Sequence, residues 1–162
     1  MTARAGGSSI VRAEDPHDLA TARELFVEYG ESLGFSLCFQ GFDEELATLP
    51  GKYAPPGGVI LLAKEREGAA GCVALRPAEQ AGACEMKRLF VRNAYRGRRL
   101  GRALAERVIA EARALGHRRM VLDTLDTMTP ALHLYRSLGF REVPPYIFNP
   151  MPNAVYLGLD LP

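Results

Sequence analysis

The stretch from Val59 to Arg92 constrains the fold more than any other part of this 162-residue chain. Three strand-like runs, Val59 to Lys64, Gly71 to Arg76 and Ala83 to Arg92, are separated only by the turn segments Glu67-Gly68 and Gln80-Ala81-Gly82. Linkers this short cannot carry a crossover helix, so the runs pair as antiparallel hairpins. What flanks them reads as helical. From Arg99 onward, Leu100, Leu104, Val108, Ala112 and Leu115 share one face, and Gly116 stands at the C-terminal cap position. Upstream, Asp15-Pro16 is a helix-start signal after a short strand in SSIVRAE, and Leu19, Ala22, Phe26, Tyr29 and Leu33 recur at helical spacing. A shorter helix is expected over Asp43 to Leu49, stopped by Pro50-Gly51. Downstream, Met120 to Thr124 reads as a strand, Thr129-Pro130 as an N-cap and first helical residue, and Ala154 to Leu161 as a closing strand.

The resulting order is β-α-α-β-β-β-α-β-α-β, with room for one more short strand near Phe140 to Val143. It predicts an α/β (α+β) fold in which helices pack on a mixed sheet. Residues 9–162 form one domain behind a flexible tail, residues 1–8. A chain of this length buries roughly two thirds of its unfolded surface, so it needs no disulfide or metal to fold. Three cysteines, Cys38, Cys72 and Cys84, offer neither C-x-x-C nor a His at ligand spacing, and they read as buried thiols. MTARAGGSSI lacks the apolar stretch of a signal peptide and no run is long enough to span a membrane, which points to a cytoplasmic protein without a membrane partner.

Net charge is +1, so the whole-molecule field does not recruit a polyanion. The balance is uneven, however. Residues 1–67 carry 6 basic and 11 acidic side chains, and residues 68–162 carry 14 and 8. Seven cations, Lys87, Arg88, Arg92, Arg96, Arg98, Arg99 and Arg102, follow one another with no acid between them. Four of these open the helix that begins at Arg99, where the partial positive charge and unpaired N–H groups of a helix N-terminus favour acids and capping hydroxyls instead. An anion seated on those N–H groups accounts for the inversion, with Gly97 and Gly101 allowing close approach. A solvated basic loop is the plain alternative. The cluster is neither a P-loop nor a G-x-G-x-x-G turn. Nucleic acid is disfavoured by the near-neutral net charge.

Strand, then Arg96-Gly97-Arg98-Arg99-Leu100-Gly101, then amphipathic helix resembles the acyl-CoA-binding segment of the GCN5-related N-acetyltransferases (GNAT), whose pattern is Arg/Gln-x-x-Gly-x-Gly/Ala. Arg96 matches the first position and Gly101 the last, while Arg99 stands in place of the middle glycine. Leu134-Tyr135-Arg136-Ser137-Leu138-Gly139-Phe140 is similar to the family's Tyr-x-x-x-Gly-Phe segment, and the element order from Ile10 to Leu161 agrees. The resemblance implies a mostly antiparallel central sheet flanked by helices. It also implies acetyl-CoA as co-substrate, no metal, and transfer of an acetyl group to an amine by direct attack in a ternary complex. The backbone of Arg96, Gly97, Arg98, Arg99, Gly101 and Arg102 would cradle the pyrophosphate, and the strand backbone at Phe90 and Val91 would pair with the pantetheine arm.

By the same resemblance, Tyr135 is the general acid that protonates the leaving thiolate. A phenol near pKa 10 and a thiol near 8.5 differ by roughly 2 kcal/mol, so hydrogen bonding with partial transfer is feasible. Met128 stands where the family often has Asn. Glu85 resembles the glutamate that some members use as general base, and a simple ion pair with a neighbouring Arg or Lys carries equal weight. Cys84 alternates to the opposite face, which argues against an acyl-cysteine route. Asp123 and Thr124 end a strand where ligands collect, and a capping or turn role weighs equally. His17, His117 and His133 are read as structural. The acceptor, a small amine or a peptide, is expected among Tyr29, Phe35, Phe39, Tyr53 and the loop Pro145 to Pro150, and the acidic first half mildly suits a cationic amine. A non-catalytic acyl-CoA sensor is the alternative function, and a homodimer is left open.

Overall fold

The computed structural model describes residues 8–162. Along the chain lie β1 (Ser9–Arg12), α1 (Pro16–Ser32), α2 (Phe42–Ala47), β2 (Val59–Glu65), β3 (Gly68–Pro77) and β4 (Ala83–Val91). They are followed by α3 (Leu100–Ala114), β5 (Arg119–Leu125), α4 (Thr129–Ser137), β6 (Arg141–Glu142) and β7 (Ala154–Asp160). The expected order is thus observed, β6 being the extra short strand. At α1 the Asp15 side chain accepts from the N–H of Asp18 at 2.7 Å, the cap that Asp-Pro announces. At α4 the expectation shifts by one residue: Thr129 is already helical and Met128 holds the cap position without a side-chain bond. Of the expected tail, residues 1–7 lie outside the described residues. Ser8 belongs to the domain instead, buried with its hydroxyl donating to Glu65.

The sheet order is β1-β2-β3-β4-β5-β7-β6, antiparallel except between β4 and β5. Alternation sends successive side chains to opposite faces. Leu61, Val73, Leu75 and Met86 pack with Leu104 and Val108 of α3 on one face, whereas Ile60, Leu62, Cys72 and Ala74 pack with Leu25 and Phe26 of α1 on the other. Each such side chain contributes about 1.5–3 kcal/mol of burial, which is why the helices need little capping of their own.

Two features of β4 shape the centre of the sheet. Its parallel pairing with β5 lasts only from Ala83 to Glu85 against Arg119 to Val121, after which the strands part. Against β3, Cys72 faces Phe90 and Ala74 faces Lys87, so β4 carries one residue more than its partner. Arg88 sits in this bulge with φ 62°, a left-handed conformation that disfavours an L-residue by roughly 1–2 kcal/mol. Gly71 pairs with Val91 just beyond the bulge, where a Cβ would stand 2.4 Å from the carbonyl oxygen of Phe90. Bulging bends β4 and turns it away from β5.

Candidate active site

Where β4 and β5 part, a cavity of about 110 Å³ opens. Met86 to Leu89 form one wall and Leu122 to Leu125 the opposite one, while Tyr135 enters from α4 and Tyr29 from α1. Polar groups reach it from both strands, Lys87 and Arg88 on one side and Asp123 on the other, with Gln40 and Asn149 from flanking loops.

Behind the cavity the charges are paired. Arg88 donates through Nε and Nη2 to both carboxylate oxygens of Glu45, at 2.9 and 3.0 Å, and through Nη1 to Gln40 at 2.7 Å. Its guanidinium also lies 5.0 Å from the centre of the Phe42 ring. Glu85 accepts from Arg76 Nε at 2.8 Å and from the Tyr146 hydroxyl at 2.6 Å. Lys87 Nζ stands 3.8 Å from Glu85 and 3.6 Å from Asp123. Burial pushes the Lys87 ammonium below its ordinary pKa even though both carboxylates work the other way. Asn149 Nδ2 donates to the second oxygen of Asp123 at 3.0 Å.

The Tyr135 ring packs edge-on to Phe140, with 5.8 Å between centroids. Its position follows from the α4 periodicity that turns Leu132 and Tyr135 inward. Burial raises the pKa of its phenol, and Tyr29 and Asp123 add to the shift. The hydroxyl therefore keeps its proton through the neutral range, as a donor requires.

At the start of α3, Arg99 caps the helix in the left-handed region, φ 59°, with no side-chain cap bond. The first helical bond made to this segment runs from the N–H of Ala103 to the carbonyl of Arg99. Among the described residues, the N–H groups of Gly97 through Arg102 donate to no protein acceptor. A Cβ on Gly97 would meet nothing within 4 Å, and one on Gly101 only Val91 at 3.9 Å. Gly97 is held at φ 83°, which favours glycine, whereas neither conformation nor packing requires one at position 101. The two glycines leave a cradle of N–H groups on an exposed, cationic surface, the donor set that a pyrophosphate needs.

The family model for the acetyltransferase (GNAT) family matches residues 21–140. The chain belongs to the GNAT acetyltransferase family. An uncharacterized N-acetyltransferase of Schizosaccharomyces pombe is 46% identical over 154 residues, covering 94% of each chain. One of Dictyostelium discoideum is 33% identical and covers 85% of this chain and 92% of its own. Among solved structures, an acetyltransferase of Streptococcus agalactiae superposes with TM-score 0.78 at 26% identity, covering 97% of this chain and 100% of its own. yncA of Salmonella typhimurium, solved with its cofactor acetyl-CoA, superposes with TM-score 0.74 at 22% identity, covering 97% and 95%, a likeness of fold.

Set on this GNAT fold, the sequence-predicted residues divide. Tyr135 lines the cavity, as do Tyr29 and Phe35. Phe90 and Val91 lie on β4 just beyond the bulge, paired with Cys72 and Gly71 of β3. Arg96, Gly97, Arg98 and Arg99 are exposed in the loop before α3. Some side chains there have protein partners: Arg96 Nε donates to the carbonyl of Val91 at 3.3 Å, and Arg102 pairs with Glu106 at 2.8 Å. Glu85 stands apart from the other residues expected at the site. It does not line the cavity, and its oxygens are taken by Arg76 and Tyr146, the ion-paired role that the sequence also allowed. Tyr53 is likewise not in the pocket; it is buried in the core with its hydroxyl donating to Glu45 at 2.8 Å. The Phe39 side chain lies outside the described residues. Cys72 and Cys84 are buried as expected, but Cys38 is exposed.

Sequence reasoning missed Lys87 and Arg88, counting them with the loop arginines, and left Asp123 undecided. A signal for Lys87 was present, because residues two apart on a strand share a face and Glu85 was already assigned to one.

Proposed function

We propose that this GNAT chain transfers an acetyl group from acetyl-CoA to an amine by direct attack in a ternary complex. The observation that carries the reading is the run of unspent N–H groups from Gly97 to Arg102, placed on the same domain as a cavity that Tyr135 lines. Acetyl-CoA bound there supplies the acyl group as a thioester whose thiolate leaves when the amine attacks. The N–H groups at the start of α3, with Arg98 and Arg99 beside them, hold the pyrophosphate. β4, freed of its β5 partner beyond Glu85, offers backbone groups to the pantetheine arm. Tyr135 donates its hydroxyl hydrogen to the departing sulfur. Asp123 is the carboxylate that faces the cavity, so it meets the incoming ammonium and takes up the proton released, with Glu85 behind it across Lys87. Cys84 takes no part: it faces the α3 core, and burial raises its thiol pKa to about 12.

The test is binding and turnover measured separately. Acetyl-CoA is expected to raise the melting temperature, and Gly101→Glu, which places a carboxylate where the pyrophosphate would lie, is expected to abolish that rise. CoA release over a panel of amines then separates an enzyme from a sensor that binds acyl-CoA without turnover.

A further inference from the structure

Lys87 is a buried cation that stands between two carboxylates, Glu85 and Asp123. Its residue is only 5% exposed, yet no hydrogen bond reaches its ammonium among the described residues, since both carboxylates beside it stand beyond hydrogen-bond distance at 3.6 and 3.8 Å. An ammonium carries three donors, which its two carboxylate neighbours, beyond hydrogen-bond distance, leave available to a ligand. Lys87 lines the cavity, and so does Arg88. The acids that balance these cations, Glu45 and Glu85, stand behind them and do not line it. Toward an acceptor, the cavity therefore presents Lys87 beside one carboxylate, Asp123, while Arg88 is taken up by Glu45 and Gln40.

That arrangement does not suit a simple cationic amine, which would meet Asp123 but also face the Lys87 ammonium beside it in a site where screening is weak. It suits an amine bearing its own anion close by. Lys87 Nζ and Asp123 Oδ1 lie 3.6 Å apart, so a molecule whose ammonium and carboxylate are separated by one carbon docks head to tail on the pair, each charge against its opposite. Cavity size agrees, since about 110 Å³ admits a small acceptor.

We propose that the acceptor is a small free amino acid of the α type, its carboxylate held by Lys87 and its amine turned by Asp123 toward the thioester. This rests on the acetyl-transfer reading given above. Lys87 is then a residue that determines specificity, and peptide N-termini, which lack the adjacent carboxylate, are poor acceptors.

The experiment compares each of several small amino acids with its own α-amide, by CoA release, in the wild-type protein and in Lys87→Gln. An amide has the less basic and therefore more available amine, so reactivity alone favours it. A kcat/KM at least tenfold higher for the free acids supports the proposal, as does loss of that preference in Lys87→Gln through a raised KM for the acids. Lys87→Arg should restore part of the preference. Amides turned over as well as the acids overturn the proposal, as does a Lys87→Gln variant whose kcat falls equally on both substrates, because that marks a proton-transfer role. The wild-type comparison decides the matter even where the variant does not fold. Failure of the underlying reading looks different: acetyl-CoA then produces no melting shift and no amine of any charge releases CoA.

Discussion

Arg88 and Glu45 meet through two hydrogen bonds, at 2.9 and 3.0 Å, across 43 positions of sequence. The pair ties the bulge of β4 to α2. Arg88 stands where β4 has left its β5 partner, so this ion pair borders the opening between the two strands. The disfavoured φ of 62° at Arg88 is sustained by the interactions of its own side chain.

Removing one partner of this pair should therefore be costly. Glu45→Ala leaves the Arg88 guanidinium, 2% exposed at the side chain, without its carboxylate, and losses of about 3–5 kcal/mol follow such removals. Urea unfolding is expected to show a fall of that order. A double variant, Glu45→Ala with Arg88→Met, should recover part of it by removing the stranded charge.

Tyr135→Phe deletes one oxygen from a side chain whose ring is anchored against Phe140, so the fold should be undisturbed. General-acid assistance is typically worth about 10²–10⁴-fold, and a thiolate needs less help than an alkoxide. A decrease in kcat toward the lower end of that range is expected, with the acetyl-CoA melting shift retained. Wild-type turnover in this variant would remove the phenol from the reaction.

Much of this site was legible because its parts follow local rules. Tyr135 was singled out by the resemblance of its segment to the family's Tyr-x-x-x-Gly-Phe, and the loop before α3 by charges that run against a helix N-terminus. The seven cations from Lys87 to Arg102 looked alike in sequence and prove to be of two kinds. Arg88 and Arg92 are paired with Glu45 and Glu28, acids from the first half of the chain, and Lys87 lies between Glu85 and Asp123. Only the arginines from Arg96 onward remain on the exposed loop side. The unequal charge of the two halves is thus partly an internal pairing between them, not solely a division between acceptor and cofactor sides. No local pattern announces such partners, nor the positive φ at Arg88, because both arise when distant elements pack.

Buried thiols set an alkaline limit. An unfolded chain releases the Cys84 proton near pH 9.0, whereas burial holds it in the folded chain to about 12. Between those values the unfolded state binds fewer protons, so stability falls as pH rises. Cys72, Tyr53 and Tyr135 are shifted upward by burial as well and act in the same direction. Melting temperatures recorded from about pH 8 to about pH 11 should hold level at first and then decline. Cys84→Ala should make that decline shallower; an unaltered slope would assign it to the other groups.

Gly71 tests whether the bulge matters for function as well as fold. A methyl group there would lie 2.4 Å from the Phe90 carbonyl oxygen, a backbone atom that can yield only by moving β4. Strain of this kind is worth about 1–3 kcal/mol, so Gly71→Ala should melt lower. The displaced strand is the one that borders the cavity and carries Lys87 on the other side of the bulge. The kcat with acetyl-CoA should therefore fall by more than tenfold at temperatures where the variant is fully folded by circular dichroism. Gly158→Ala is the control: a Cβ there would lie 2.9 Å from Val143 and 3.0 Å from Arg119, both side-chain atoms, on a strand away from the bulge. It should lower the melting temperature while leaving kcat within about twofold, a contrast set by the location of the strain and not by its size.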